Sequence, residues 1–88
     1  MEEKQFYNIE GDHVSKKEKN ESLEMLANII DHGTLVKIQR NTVYGYVQGF
    51  YKYNNKMYIV TKKDNNYMYI ERLINNEPIR KESESDYE

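Results

Sequence analysis

The sequence predicts an α+β domain, mainly β, in which an N-terminal helix precedes a bent, four- to five-stranded antiparallel small barrel. Three observations predict this class: a helix-capping spacing followed by apolar residues at helical period, short β-branched and aromatic runs separated by asparagine turns, and glycines within one of those runs. The helix and barrel occupy residues 15–80. They follow a flexible segment at residues 1–14 and precede an acidic, disordered tail at residues 81–88.

The helix is predicted to begin after Ser15, because Glu18 follows it at the capping-box spacing. Gly33 ends the helix, and a glycine suits the left-handed conformation that often follows the last turn. Apolar residues at helical spacing form one stripe, which consists of Leu23, Leu26, Ala27 and Ile30 and is broadened by Met25 and Ile29.

Four strands are predicted from the alternating runs, at about residues 34–40, 43–53, 56–63 and 67–74. Asn54 and Asn55 suit a two-residue turn with positive φ angles, and residues 64–66 suit a three-residue loop. Gly45 and Gly49 are placed where the second strand bends. Ile79 and Arg80 form a short closing strand.

These turns fix which side chains share a face of the sheet, because side chains alternate along a strand. The predicted core face carries Val47, Gly49, Val60, Met68 and Ile70. The opposite face carries Tyr44, Tyr46, Phe50, Ile59 and Tyr69. That second face is too apolar to lie against solvent, so either the helix stripe covers it or it is a surface for a partner.

Three segments together resemble the first motif of the Sm-like family. They are residues 33–38 (Gly-Thr-Leu-Val-Lys-Ile), 43–50 (Val-Tyr-Gly-Tyr-Val-Gln-Gly-Phe) and 53–55 (Tyr-Asn-Asn). In that family, apolar residues alternate with a glycine on the second strand, and a glycine-aromatic pair lets the strand bend. The resemblance implies an N-terminal helix, an SH3-like small barrel, and binding of single-stranded RNA or DNA by an oligomer. The usual acidic residue after the aromatic is replaced by Tyr51, and residues 69–74 lack the isoleucine-arginine-glycine of the second motif.

Charge is unevenly distributed along the 88 residues, whose formal net charge is −2. Residues 34–76 contain seven basic and two acidic residues, whereas residues 1–33 have a net charge of −4 and residues 77–88 one of −3. The chain contains no cysteine and no apolar run long enough to span a membrane, so we expect a cytoplasmic, soluble protein. Frequent lysine, asparagine and tyrosine indicate AT-rich codons, as in a low-GC bacterium or its phages.

Catalysis finds no support in the residues. His13 and His32 have neither a nucleophile nor a second metal ligand at suitable spacing, so we expect no enzyme activity, metal or cofactor. The favoured function is a regulatory or inhibitory protein-binding module, encoded by a phage or mobile element and directed at a host protein. Its expected contact residues are Tyr44, Tyr46, Phe50 and Tyr69. A homo-oligomer is a second expectation, because so small a core is only marginally stable.

The alternative function is an Sm-like domain that binds single-stranded nucleic acid. Tyrosines provide stacking faces beside phosphate-pairing charges, which the candidate residues Lys37, Arg40, Lys52, Lys62 and Lys63 supply. The acidic total argues against it, since most such domains are basic. An edge strand, at residues 34–40 or 67–74, also offers a place for a partner's strand or a second copy.

Overall fold

The structure is a computed structural model that describes residues 4–73. It contains one helix and five strands, in the order β1 (Phe6–Asn8), α1 (Lys16–His32), β2 (Thr34–Asn41), β3 (Tyr46–Tyr53), β4 (Lys56–Lys63) and β5 (Asn66–Leu73). The strands form one antiparallel sheet in the order β1-β5-β4-β3-β2. The mainly β, α+β class is therefore confirmed. The expected closing strand at residues 79–80 and the acidic tail at residues 81–88 lie outside the described residues.

Two parts of the predicted architecture are wrong. The sheet is not closed into a barrel, since β1 and β2 form its two edges and do not pair with each other. The helix lies between β1 and β2 rather than before all strands. The physical reason is that residues 6–8, within the segment expected to be flexible, pair with β5. The backbone N–H of Arg72 donates to the Gln5 carbonyl over 2.9 Å and extends this pairing.

The start of α1 is confirmed in detail. The Glu18 N–H donates to the Ser15 hydroxyl oxygen over 3.1 Å, and the Ser15 N–H donates to the Glu18 carboxylate over 3.4 Å. The left-handed conformation expected at Gly33 is wrong, because Gly33 is extended with φ −86°. Glycine is needed there for a close approach, since a Cβ atom would lie 2.6 Å from the Ile29 carbonyl oxygen.

The buried side of α1 consists of Ser22, Leu26 and Ile29, which lie at i, i+4 and i+7. Leu23 and Ile30, which were expected in the buried stripe, are exposed. The helix is therefore turned so that only Leu26 and Ile29 of the large predicted residues are fully buried. The buried apolar cluster of the domain consists of Ile9, Leu26, Ile29, Tyr58, Val60 and Ile70.

The hairpin turns explain the register of the sheet. Asn54 and Asn55 have φ angles of 55° and 63°, which confirms the two-residue turn and the pairing of Tyr53 with Lys56. The next turn also uses two residues, Asp64 and Asn65, rather than the expected three.

A β-bulge at Met68 takes up the additional residue, because Lys62 pairs with Tyr67 while Thr61 pairs with Tyr69. Met68 consequently leaves the row of core residues that the sequence predicted for it. Its carbonyl oxygen instead accepts hydrogen bonds from the N–H groups of Ile9 and Glu10, over 2.9 and 3.1 Å. The bulge therefore anchors the chain just after β1.

The turn between β2 and β3 is longer than predicted, and β3 begins at Tyr46 rather than at residue 43. Asn41 organises the turn, since its side-chain oxygen accepts from the N–H groups of Val43 and Tyr44, both over 3.1 Å. Gly45 belongs to this turn with φ 77°, so its predicted role as a strand bend is wrong. Gly49 does lie within β3, between Ile38 and Val60.

The capping geometry predicts the effect of Ser15→Ala. Removal of the hydroxyl leaves the Glu18 N–H without its partner, so the free energy of unfolding should fall by about 1 kcal/mol. Chemical denaturation of wild type and variant measures the difference. Ser15→Asp is the matched control, because an aspartate also caps a helix and should retain most of the stability. Equal stability of Ser15→Ala and wild type would contradict the assigned cap.

Candidate functional site

The sheet has two faces, and α1 packs on only one of them. Gly49, Val60, Ile70 and Tyr7 lie in one register row across β3, β4, β5 and β1, and this row defines the helix-side face. Val60 and Ile70 belong to the cluster with the helix, which confirms them as core residues. The neighbouring row must point to the other side, because side chains alternate along each strand. The helix therefore does not cover the predicted aromatic face. The expectation that the helix stripe packs against that face is wrong.

A groove of about 230 Å³ lies on the helix-side face next to β2. Its apolar lining consists of Leu35, Ile38, Val47, Gly49, Tyr51 and Val60. Gly49 lies close to the Tyr51 ring, and a larger residue would clash with it. A Cβ atom at position 49 would lie 2.9 Å from the ring carbon Cε1. The groove thus owes its depth at this point to a glycine.

Strand β2 forms one edge of the sheet and exposes apolar side chains along it. Leu35, Val36 and Ile38 are 46%, 57% and 45% exposed. An edge strand has a neighbouring strand of its sheet on one side only, so its outer side can pair with another strand. The sequence indicated residues 34–40 as a candidate edge, and this is confirmed. Its other candidate, residues 67–74, is wrong because β5 lies between β1 and β4.

Two cations border the groove. Arg40 pairs with Val47 on the next strand, and Val47 pairs with Lys62, so the three lie in one row on the helix-side face. The Lys62 ammonium lies 5.2 Å from the centre of the Tyr67 ring. Burial raises the pKa of the Tyr51 phenol, and the neighbouring Tyr67 adds to the effect. No aspartate or glutamate within residues 4–73 lines this groove.

The opposite face contains a polar row that crosses all five strands. It consists of Gln39, Gln48, Thr61, Tyr69 and Asn8. The Gln48 side-chain amide donates to the Thr61 hydroxyl over 3.2 Å. Gln39 is only 6% exposed, and its Nε2 atom has no hydrogen-bond partner in the described part of the chain. A pocket of about 170 Å³ opens over this row.

The four expected contact residues do not form one continuous surface. Tyr46 and Tyr69 are half-buried and line the polar pocket, whereas Tyr44 is exposed in the turn before β3. Phe50 is only 4% exposed and pairs with Ile59. Phe6, which sequence reasoning missed, is exposed with its ring centre 5.2 Å from that of Tyr69.

The five expected basic residues are divided between the two faces. Arg40 and Lys62 border the groove, and Arg40 also reaches the polar pocket. Lys37, Lys52 and Lys63 belong to the opposite face. The Lys37 ammonium lies 5.6 Å from the centre of the Phe50 ring, and that of Lys63 lies 5.3 Å from the Tyr46 ring. Each of these pairs is within cation–π distance.

Two further features of residues 4–73 concern metal ligands and the length of the helix. No three histidine, aspartate or glutamate side chains there are grouped so that they could hold a metal ion. The helix of this region is neither long enough nor apolar enough to cross a membrane.

No protein-family model, curated protein or solved structure matches the chain. The resemblance to the Sm-like family therefore stays a prediction from the motif at residues 33–38, 43–50 and 53–55.

The two glutamines of the polar row should respond in opposite ways to the same substitution. Gln39→Met removes a buried donor that has no partner among residues 4–73, so the free energy of unfolding should rise by about 1 kcal/mol. Gln48→Met removes the donor to the buried Thr61 hydroxyl and should lower it by about 1 kcal/mol. Thermal and chemical denaturation measure both. A destabilised Gln39→Met variant would show that the Gln39 amide is satisfied in solution.

Proposed function

We propose that this protein is a small non-catalytic protein-binding module, and that it binds an extended segment of a partner protein at the edge strand β2. The observation that carries the proposal is the combination of an exposed apolar edge with an adjacent groove. Leu35 and Ile38 are exposed and also line the groove, so one partner strand can contact both features. Strand addition combines backbone hydrogen bonds for affinity with side-chain pockets for specificity.

The charges of β2 favour a different protein as the partner rather than a second copy. Residues 34–41 contain Lys37 and Arg40 and no acidic residue. In an antiparallel pair of two β2 strands, a symmetry axis near the middle of the strand would bring these cations opposite or close to one another. Like charges directly opposite destabilise a strand pair. The expected homo-oligomer therefore gains no support from this edge.

A regulatory or inhibitory role against a host protein, with origin in a phage or mobile element, extends the proposal. The small size of the protein and its many residues with AT-rich codons support that extension. The geometry of β2 and the groove supports only the binding surface. A protein that binds a partner segment along its edge strand needs no catalytic group, because strand addition blocks or remodels the partner by contact alone.

A capture experiment tests the binding surface. Wild type should retain a protein from a nuclease-treated bacterial lysate, and Ile38→Lys should lose it, because the charge would be buried against the partner. Leu23→Lys is the matched control, since Leu23 is an apolar helix residue of similar exposure. Purified partner should then bind Ile38→Lys with affinity weakened by roughly 2 kcal/mol.

Two results would contradict the proposed surface. Loss of the partner in Leu23→Lys, but not in Ile38→Lys, would place the contact on the helix. A dimer of wild type in sedimentation analysis that becomes monomeric in Ile38→Lys would show that a second copy occupies the edge.

Binding of single-stranded nucleic acid is a second candidate, favoured by the opposite face. Lys63 beside Tyr46 provides a cation next to an aromatic ring, and the buried Gln39 amide beneath the same pocket offers a donor for a base. This candidate predicts that a short oligothymidylate binds wild type with an affinity that falls steeply with salt.

The matched variants for this candidate are Tyr46→Ala and Lys63→Glu, which should each weaken oligothymidylate binding. Ile38→Lys, on the other side of the sheet, should leave that binding intact. Oligonucleotide affinity that is undetectable at low salt would eliminate the candidate, because low salt maximises phosphate contacts.

A further inference from the structure

We infer that the partner segment bound at β2 is acidic, with a carboxylate two residues from an apolar side chain in an extended strand. The inference rests on the proposed protein-binding function and names the chemistry of its partner. It comes from the arrangement of charged and apolar residues along the groove.

One residue of the partner segment lies opposite Ile38 and is apolar. Ile38 pairs with Gly49 on β3, and Gly49 pairs with Val60 on β4. A glycine between two β-branched residues leaves a depression in this row, with the Tyr51 ring at its border. A partner side chain opposite Ile38 lies beside the exposed Ile38 side chain, at the border of this apolar depression, and it needs to be apolar to bury favourably there.

Another residue of the partner segment lies opposite Arg40 and is acidic. The neighbouring row on the same face contains Arg40, Val47 and Lys62. Adjacent strands are about 4.8 Å apart, so the Arg40 and Lys62 backbones are separated by roughly 10 Å across Val47. A partner residue opposite Arg40 lies on the outer side of β2, about 5 Å from the Arg40 backbone and roughly 14 Å from that of Lys62. A carboxylate there pairs with Arg40 and is also attracted by Lys62 in the same row. A partner cation at this position would face two like charges, and none of the groove residues that the structure describes is acidic and could offset them.

The spacing of these two partner residues follows from the spacing of Ile38 and Arg40 along β2. Ile38 and Arg40 are two residues apart, so their side chains point to the same face of β2. The partner residues opposite them are also two apart and share that face. This gives the alternation of an apolar and an acidic side chain. The same requirement disfavours a second copy of this chain, because β2 itself presents cations rather than carboxylates.

Synthetic peptides test the inference. One short peptide alternates isoleucine and glutamate at its odd positions and has threonine at its even positions; a second has lysine in place of each glutamate. Wild type should bind the glutamate peptide roughly tenfold more tightly than the lysine peptide, as measured by calorimetry at low salt. Shifts of amide resonances in β2 should accompany binding. A glutamate peptide with proline at its centre should bind weakly, because proline interrupts strand pairing.

Charge reversal provides the decisive comparison. In the double variant Arg40→Glu, Lys62→Glu the preference should invert toward the lysine peptide. The matched control is Lys16→Glu, Lys17→Glu, which makes the same change in net charge at the exposed start of α1 and should keep the wild-type preference. Circular dichroism of both double variants confirms that the fold is retained.

The outcomes separate this inference from the proposed function. Equal affinity of wild type for the two peptides would overturn the acidic partner and leave strand addition intact. Failure of the glutamate peptide to bind wild type would also overturn the inference. The proposed function itself fails on separate results: equal capture of one partner by Ile38→Lys and wild type, loss of the partner in Leu23→Lys alone, or a wild-type dimer that Ile38→Lys dissociates.

Discussion

A single helix has to cover a five-stranded sheet, and this mismatch of widths determines the rest of the structure. A helix with its side chains is about 10 Å across, whereas the outer strands of five are roughly 20 Å apart. Leu26 and Ile29 pack against Tyr58, Val60 and Ile70, and this cluster holds α1 toward the β1 side of the sheet. Among residues 4–73, no helix or second sheet covers the helix-side face next to β2, and the apolar groove lies there.

The two edge strands of the sheet limit pairing with further strands in different ways. β1 is only three residues long, and the hydrogen bonds to the Met68 carbonyl direct the following chain away from it. β2 is eight residues long and has a register irregularity between Leu35 and Lys37. Short strands, bulges and lysines are all known to discourage pairing between edges. β2 has the bulge and the lysine but keeps apolar side chains exposed. Under the proposed function, the bulge and the lysine discourage indiscriminate pairing, and the apolar side chains contact the partner strand.

Local signals explain which parts of the fold the sequence predicted. The capping box at Ser15, the asparagine turn at Asn54 and four of the strands depend on nearby residues, and the structure confirms them within a few positions. β1 was missed because three residues give no measurable period, and its pairing with β5 depends on chain segments more than 60 residues apart. The rotation of α1 was missed for a related reason. Leu23 and Ile30 fit the helical period as well as Leu26, and only the position of the sheet decides between them.

The site was predicted less well than the fold, because site geometry depends on which face each row of side chains occupies. The sequence grouped Phe50 with Tyr46 and Tyr69 as contact residues, yet Phe50 is buried while the two tyrosines border a polar pocket. The hydrophobic pattern also gave no indication that Gln39 would be buried, since a glutamine in an edge strand is ordinarily solvated. A buried amide without a partner opposes folding, and such a group persists only if something offsets its cost. The groove shows the converse, because Leu35 and Ile38 leave nearly half of their surface exposed to solvent. In both places the sequence departs from what folding alone would favour, and departures of that kind are expected where a protein binds something else.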